Sequence, residues 1–322
     1  MNSIKSVGKA ISSFRESILI IVILFIGLFM SITSPHFLSW RNMEAIFLGL
    51  SVEALITIGM VIVLISGGLD LSVGSTLALA GVATGLSLNV GIPVVFSILI
   101  GLFSAAMVGF VNGVLIAKVG LNPFITTLGM LMAVRGLVLV IAKGKAVLNL
   151  PMEFKIIGQG ELWGVQYPIF LLFFLVLVGD TILRNFRFMR QGYYVGGNEI
   201  AAKLNGINIT LVKIVNYMLV SFLAGLSGIL VTARFGSASV TVGQGMELRV
   251  ITAAIIGGAS LKGGEGTVFG AFLGALFMGV LSNSLNLLGV GIYWQNLVTG
   301  VTLILAILLD AISEYRKTSK LV

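Results

Sequence analysis

The long runs without an ionisable side chain set the strictest limit on what this sequence can fold into. Residues 71–117 hold 47 consecutive positions free of Asp, Glu, Lys and Arg, and residues 266–309 hold 44. A helix crossing a hydrocarbon core needs about 20 mostly apolar residues, so each run is long enough for two crossings joined by a tight turn. Turn chemistry agrees, because Asn89-Val90-Gly91-Ile92-Pro93 interrupts the first run and Gly289-Val290-Gly291 the second. Residues 17–40 are also uncharged and supply a first span over 17–33. Further apolar segments lie near 45–66, 123–142, 166–183, 211–233 and 248–261, the last short enough to be a partial or re-entrant helix. The sequence therefore predicts an all-α polytopic bundle of about ten transmembrane helices, a single domain over residues 1–322.

Composition agrees with lipid as the main solvent. The chain is 57% hydrophobic and 10% charged, against about 25% charged in an average soluble domain. The first apolar run reads as a retained helix and not a cleaved signal peptide, because Pro35-His36-Phe37 ends it where a small-residue cleavage site would stand. With both termini cytoplasmic, Lys5, Lys9, Arg15, Lys118, Arg184, Arg187, Arg190, Lys203, Lys213, Lys262, Arg316, Lys317 and Lys320 all fall inside, which is the bias expected of cytoplasmic loops. The same bias accounts for the net charge of +8 without nucleic acid as a partner. This orientation gives a cytoplasmic tail over 1–16, an external loop over 143–165, a cytoplasmic loop over 184–210 and a cytoplasmic tail over 311–322.

Several chemistries are excluded. There is no cysteine and one histidine, His36, which leaves no thiolate or paired-histidine metal site and no cysteine nucleophile. The phosphate loop G-x-x-x-x-G-K-[ST] is absent, since neither Gly8-Lys9 nor Gly144-Lys145 has the preceding glycine, so ATP and Mg could be bound only by another subunit. An ion gradient would call on ionisable residues in the membrane, namely Glu53, Asp70 and Arg135. Asp70 could equally cap the following helix, and Glu53 could pair with Arg135.

Glycine carries a further signal. The chain has 41, and Gly101, Ala105, Gly109 and Gly113, then Gly266, Gly270 and Gly274, recur at four-residue intervals that suit close helix packing. Gly67-Gly68-Leu69-Asp70-Leu71-Ser72-Val73-Gly74 also parallels Gly257-Gly258-Ala259-Ser260-Leu261-Lys262-Gly263-Gly264 at an offset of 190, a hint of an internal repeat.

The loop 184–210 holds the most informative local pattern. Its residues 190–207 predict a short helix with Asn198 as N-cap and Gly206 just past the end, Glu199 and Lys203 at i and i+4 being able to pair. Ala201 and Ala202 carry little bulk, which suits a knob that enters a partner's groove; a helix lying on the bilayer is the other reading.

The ordered set of motifs resembles the permease subunits of ribose-type monosaccharide ABC importers. It comprises Gly68-Leu69-Asp70-Leu71-Ser72-Val73-Gly74-Ser75, Pro123-Phe124-Ile125-Thr126-Thr127-Leu128-Gly129 with Arg135-Gly136, the Gly196-Gly197-Asn198-Glu199 loop, Gly257-Gly258-Ala259-Ser260-Leu261, and Asn286-Leu287-Leu288-Gly289-Val290 with Trp294-Gln295. The resemblance covers nearly the whole chain. It implies a bacterial cytoplasmic-membrane protein without its own ATP site or cofactor, working with a cytoplasmic ABC ATPase that binds ATP and Mg, an extracytoplasmic sugar-binding protein and a second permease copy or homologue. It implies ATPase coupling at Asn198, Glu199, Ala201, Ala202, Lys203 and Gly206, although Ile200 separates Glu199 from the alanines where the family's element has them adjacent. For the sugar path, Asn112, Asn283 and Gln295 are the leading residues, with Asn122, Phe124, Asn286, Trp294 and Asn296 beside them; interhelical bonding is the competing role for each. Asp70, Ser72, Gly74 and Arg135 are expected to form a gate or a structural motif. An ion-coupled secondary transporter using Asp70 or Glu53 is the alternative.

Overall fold

The computed structural model describes residues 2–318, and the side chains of residues 16–312. In chain order the elements are α1 (Asn2–Thr33), α2 (Trp40–Ile65), α3 (Val73–Asn89), α4 (Val94–Ala117), α5 (Pro123–Ile141), α6 (Met152–Gln159), β1 (Glu161–Leu162), β2 (Val165–Gln166), α7 (Tyr167–Asn185), α8 (Arg187–Gly197), α9 (Glu199–Leu204), α10 (Ile209–Phe235), α11 (Met246–Ile256), α12 (Val268–Leu287) and α13 (Ile292–Thr318). Eight of the described helices are long and apolar enough to cross a membrane. The helix over 73–89 is 17 residues long and the one over 246–256 only 11.

Helix boundaries follow side-chain chemistry. Ser39, Asn122, Asn208 and Thr267 cap α2, α5, α10 and α12 by accepting backbone N–H bonds, and Pro123 stands in the first turn of α5, where its missing N–H costs nothing. α1 is already helical from Asn2 and α13 continues to Thr318, so much of both expected tails is helix. Residues 319–322, and the side chains of Lys5, Lys9, Arg15, Arg316, Lys317 and Lys320, lie outside the described residues.

One correction concerns the all-α expectation. The loop 143–165 carries α6, and just past it β1 and β2 form a two-stranded antiparallel hairpin, turned at Trp163 and Gly164 with φ of 54° and 76°. Two positive φ values in a two-residue loop match the twist of a hairpin, a geometry that Gly accepts and helical periodicity cannot reveal.

α10 is the central helix and packs most extensively against α4, α3 and α2. The glycine stripe of α4 makes this possible: Gly109 and Gly113 lie directly against the α10 backbone at Tyr217, Met218 and Ile214, where any side chain would collide. Gly270 and Gly274 admit α12 equally close to the backbone of Gly257 and Ala253. α2 is almost wholly buried, whereas α1 and α13 flank the bundle with most of their surface open.

The two ends of the bundle are distinct. At one, Val147 pairs with Ala238 and Asn89 donates to the Leu148 carbonyl. At the other, Gly264 donates to the Ile65 carbonyl at 2.8 Å and the Tyr193 hydroxyl to the Gly266 carbonyl at 2.8 Å, tying α8 to the ends of α2 and α12. Burial pushes the Tyr193 phenol up to about 12, so it stays a neutral donor.

Candidate functional site

Two chain passages traverse the bundle partly as helix and partly as turns and irregular backbone, and they meet in its interior. The first runs from the end of α2 through residues 66–72 into α3. The second runs from the end of α10 through residues 236–245 into α11. In the first the non-helical part lies towards the α8 end; in the second it lies towards the α6 end. The N-termini of α3 and α11 therefore both start inside the bundle. α11 rises only about 16 Å, and Arg135, which touches both passages, stands about 18 Å along α5 from Pro123.

Arg135 holds the crossing together. Its guanidinium donates to the carbonyls of Val240 at 2.7 Å, Val242 at 3.0 Å and Gly74 at 3.2 Å, and Glu247 is its electrostatic partner. A fork of donors suits two carbonyls of non-helical backbone that has no ladder to join, with a third carbonyl from the first turn of α3. Gly74 and Gly243 make the contact itself: a side chain on Gly74 would strike the Gly243 carbonyl and the Glu247 carboxylate. Glu247, in the first turn of α11, accepts from the backbone of Gly245 and its own N–H, which places a carboxylate at the positive end of that helix.

The non-helical part of the first passage has its own lock. Asp70 is fully buried and accepts from Ser72 N at 2.8 Å and Ser72 Oγ at 2.6 Å, while Asn112 on α4 donates to Ser72 Oγ at 3.0 Å and more loosely to Asp70. The Asp70 backbone bond is an Asx-turn onto Ser72, the N-cap residue of α3, and not the helix cap expected of it, because α3 begins three residues later at Val73. Tyr217 of α10 completes the lock, its hydroxyl accepting from Leu69 N at 3.2 Å and donating to Leu69 O at 3.1 Å. Sequence reasoning missed Tyr217; the one signal for it is a hydroxylated aromatic inside an apolar run.

The structure brings Asn112, Asp70 and Ser72 together and separates the remaining polar residues. Asn283 and Asn42 exchange two bonds at 3.1 and 2.8 Å, tying α12 to α2. Gln295 donates to Asn286 at 2.7 Å and to the Val290 carbonyl at 2.9 Å, closing the α12–α13 turn. Asn122 caps α5, and Phe124, Trp294 and Asn296 are exposed. Glu53 does not meet Arg135: Glu53 is buried in α2 with Arg249 of α11 as its electrostatic partner, while Arg135 on α5 faces Glu247. Among the described residues no cluster of His, Cys, Asp or Glu could hold a metal ion.

The knob on the α8 side matches the expected cap but not the expected ion pair. Asn198 accepts from Ala201 N at 2.9 Å as N-cap of α9, and Gly206 follows with a φ of 78°. Glu199 pairs with Lys213 on α10 at 2.8 Å and not with Lys203, since a six-residue helix folded against α10 brings Lys213 nearer. Ala202 faces inward against Val195 and Val212, only 3% exposed, whereas Ala201 and Lys203 face out. Ile200 and Leu204, at i and i+4, are 75% and 83% exposed. Beside them α8 and α9 enclose a hollow of about 500 Å³ that includes Tyr194, Asn198, Ala201 and Asn205 in its lining.

This architecture has named relatives. The family model for the permease component of the branched-chain amino acid transport system matches residues 42–307. The chain is 38% identical over 295 residues to the ribose import permease protein of Escherichia coli, covering 90% of this chain and 92% of that protein. It is 37% identical over 293 residues to the ribose import permease protein of Bacillus subtilis, covering 89% and 91%. It is 35% identical over 302 residues to the L-arabinose ABC transporter permease protein of Azospirillum brasilense, covering 93% and 88%. No solved structure matches the chain.

Proposed function

Because the chain belongs to the family of permease components of ABC importers, we propose that it moves a monosaccharide or similar polyol inward by alternating access, with ATP hydrolysed by a separate subunit. It is a multi-pass protein of the cytoplasmic membrane. With ten crossings, eight by long helices and two by the interrupted passages, both termini fall on one side, and the distribution of Lys and Arg favours the cytoplasmic one. The α8–α9 knob is then cytoplasmic and the α6 hairpin external. The ribose and arabinose named for the relatives support a sugar as cargo.

The observation that carries this reading is the knob. A chain without a phosphate loop presents two bare aliphatic side chains, Ile200 and Leu204, on a helix tied to α10 by the Glu199–Lys213 pair and following directly on α8, which the Tyr193 bond fastens to the bundle. Such a helix transmits a push from outside the membrane into α10 and α12 without folding away. The ATPase, carrying ATP and Mg, docks there, Asn198, Ala202 and Gly206 shaping the knob and Ala201 and Lys203 bordering the contact. A sugar-binding protein delivers cargo at the opposite end, and a second permease copy or homologue completes the channel. Asp70, Ser72, Gly74 and Arg135 act as the structural motif of the crossing, while Asn283, Asn286 and Gln295 stand where helix ties and path wall coincide, with Phe124 and Trp294 as open apolar surface. The test is reconstitution: the chain alone shows no ATPase activity and no uptake, and both appear once ATPase and binding protein are added. Uptake by the chain alone under a proton or sodium gradient would overturn the reading.

A further inference from the structure

The second interrupted passage presents polar groups where lipid cannot receive them. Thr241 and Gln244 are exposed, Ser239 is partly exposed and its hydroxyl lies 3.1 Å from that of Thr241. They lie between the Val147–Ala238 bridge at one end of the bundle and the start of α11 in its interior, on backbone that follows neither a helix nor a sheet ladder. Exposed irregular backbone is not tolerated against acyl chains at that depth; it survives where it is covered by protein or lines water.

The arginines of α5 and α11 beside this strip are both matched. Arg135 is committed to the Val240, Val242 and Gly74 carbonyls and faces Glu247, and Arg249 donates to Ser282 at 3.1 Å with Glu53 as its electrostatic partner. Within residues 239–245 themselves the groups open to a solute are neutral: two hydroxyls, an amide, and the exposed backbone of Gly245, with the Lys155 side chain packed against Gly236 just before them. This set donates and accepts hydrogen bonds without favouring either sign of charge.

We infer that residues 239–245, pinned by Arg135, form the wall of the aqueous solute path, and that this wall takes a neutral hydroxyl-rich solute. The assignment rests on the importer reading for the identity of the cargo, but the aqueous character of the strip stands on its geometry alone. It moves the solute wall away from Asn112, which is enclosed in the Asp70 lock, and onto a segment that composition and helical periodicity do not single out.

The chain has no cysteine, so single-cysteine variants need no background removed. Thr241→Cys and Gln244→Cys, with Phe25→Cys and Leu177→Cys on the exposed apolar faces of α1 and α7 as references, are prepared in membrane vesicles holding the assembled importer. They are treated with a permanently charged methanethiosulfonate, which reacts with thiolate in water. The expected result is modification of the strip at least tenfold faster than of the references, slowed by an excess of pentose. Modification no faster than at the references overturns the inference, as does ready disulfide formation between Gln244→Cys copies without modification, which marks a dry contact. Labelling needs no nucleotide, so a labelled strip in a chain that fails to recruit an ATPase leaves the wall intact and the importer reading refuted.

Discussion

Gly74 at the start of α3 and Gly243 in the passage into α11 pack backbone against backbone, each occupying the space that a side chain on the other would need. Two half-helices thereby start from one point inside the bundle, with Arg135 supplying donors to both strands of the crossing.

Gly74→Ala is expected to destabilise the chain by about 1–3 kcal/mol or to prevent its folding, because the added methyl meets backbone on the opposite strand, which cannot rotate away. Gly129→Ala, with open space around it, should be close to neutral. Thermal unfolding of both variants in detergent makes the comparison.

Arg135→Lys is expected to behave nearly as badly as Arg135→Ala. An ammonium is a point charge on a flexible stem and cannot reach three carbonyls in the planar geometry that the guanidinium uses. The loss leaves the backbone acceptors without their donor, about 1–3 kcal/mol for each unsatisfied group, and Glu247 without its neighbouring positive charge. Proteolytic sensitivity of residues 236–245 in the variants checks it.

Ile200→Glu and Leu204→Glu are expected to abolish co-purification of the ATPase while leaving the permease folded, since both side chains point away from the chain's own core. Burying one aliphatic side chain at a partner surface contributes about 1.5–3 kcal/mol, about a tenfold or larger change in affinity for each. Ala202→Leu should act differently, by unseating α9 from Val195 and Val212 and lowering stability.

Tyr217→Phe is expected to cost about 1 kcal/mol by removing both hydrogen bonds to Leu69, and to loosen residues 66–72 in hydrogen exchange.

The Tyr193 phenol gives a pH prediction with a definite sign. Its value in the fold, about 12, lies above the ordinary value of 10, so the neutral form is the one the fold favours. The stability it contributes is full below about pH 10 and is lost as pH rises through 12. Tyr193→Phe should flatten that alkaline decline, as read by unfolding midpoints between pH 9 and 12.

Much of this was legible from residue order. The gaps between charges located the long helices, the turn at 89–93 and the short segment near 248–261 that proved to be the half-helix α11. Asn198 and Gly206 announced α9 because caps depend on a few adjacent residues. The glycine stripe of α4 announced close packing without saying against what, and α10 is the answer.

Pairings were a different matter. Glu53 and Arg135 looked like partners by charge and depth, yet Arg249 and Glu247 stand beside them, because which arginine meets which carboxylate depends on how residues 236–249 thread the bundle. The same threading buries Asn112 in the Asp70 lock and leaves Thr241 and Gln244 open. Sequence alone determined that the chain lives in lipid, the approximate places of its long helices, and its family, since burial in hydrocarbon and helix capping are decided over a few neighbouring residues. Only the tertiary structure decided which polar groups satisfy one another and which are left for water, because a hydrogen bond between residues a hundred positions apart exists only once the backbone has brought them within 3 Å.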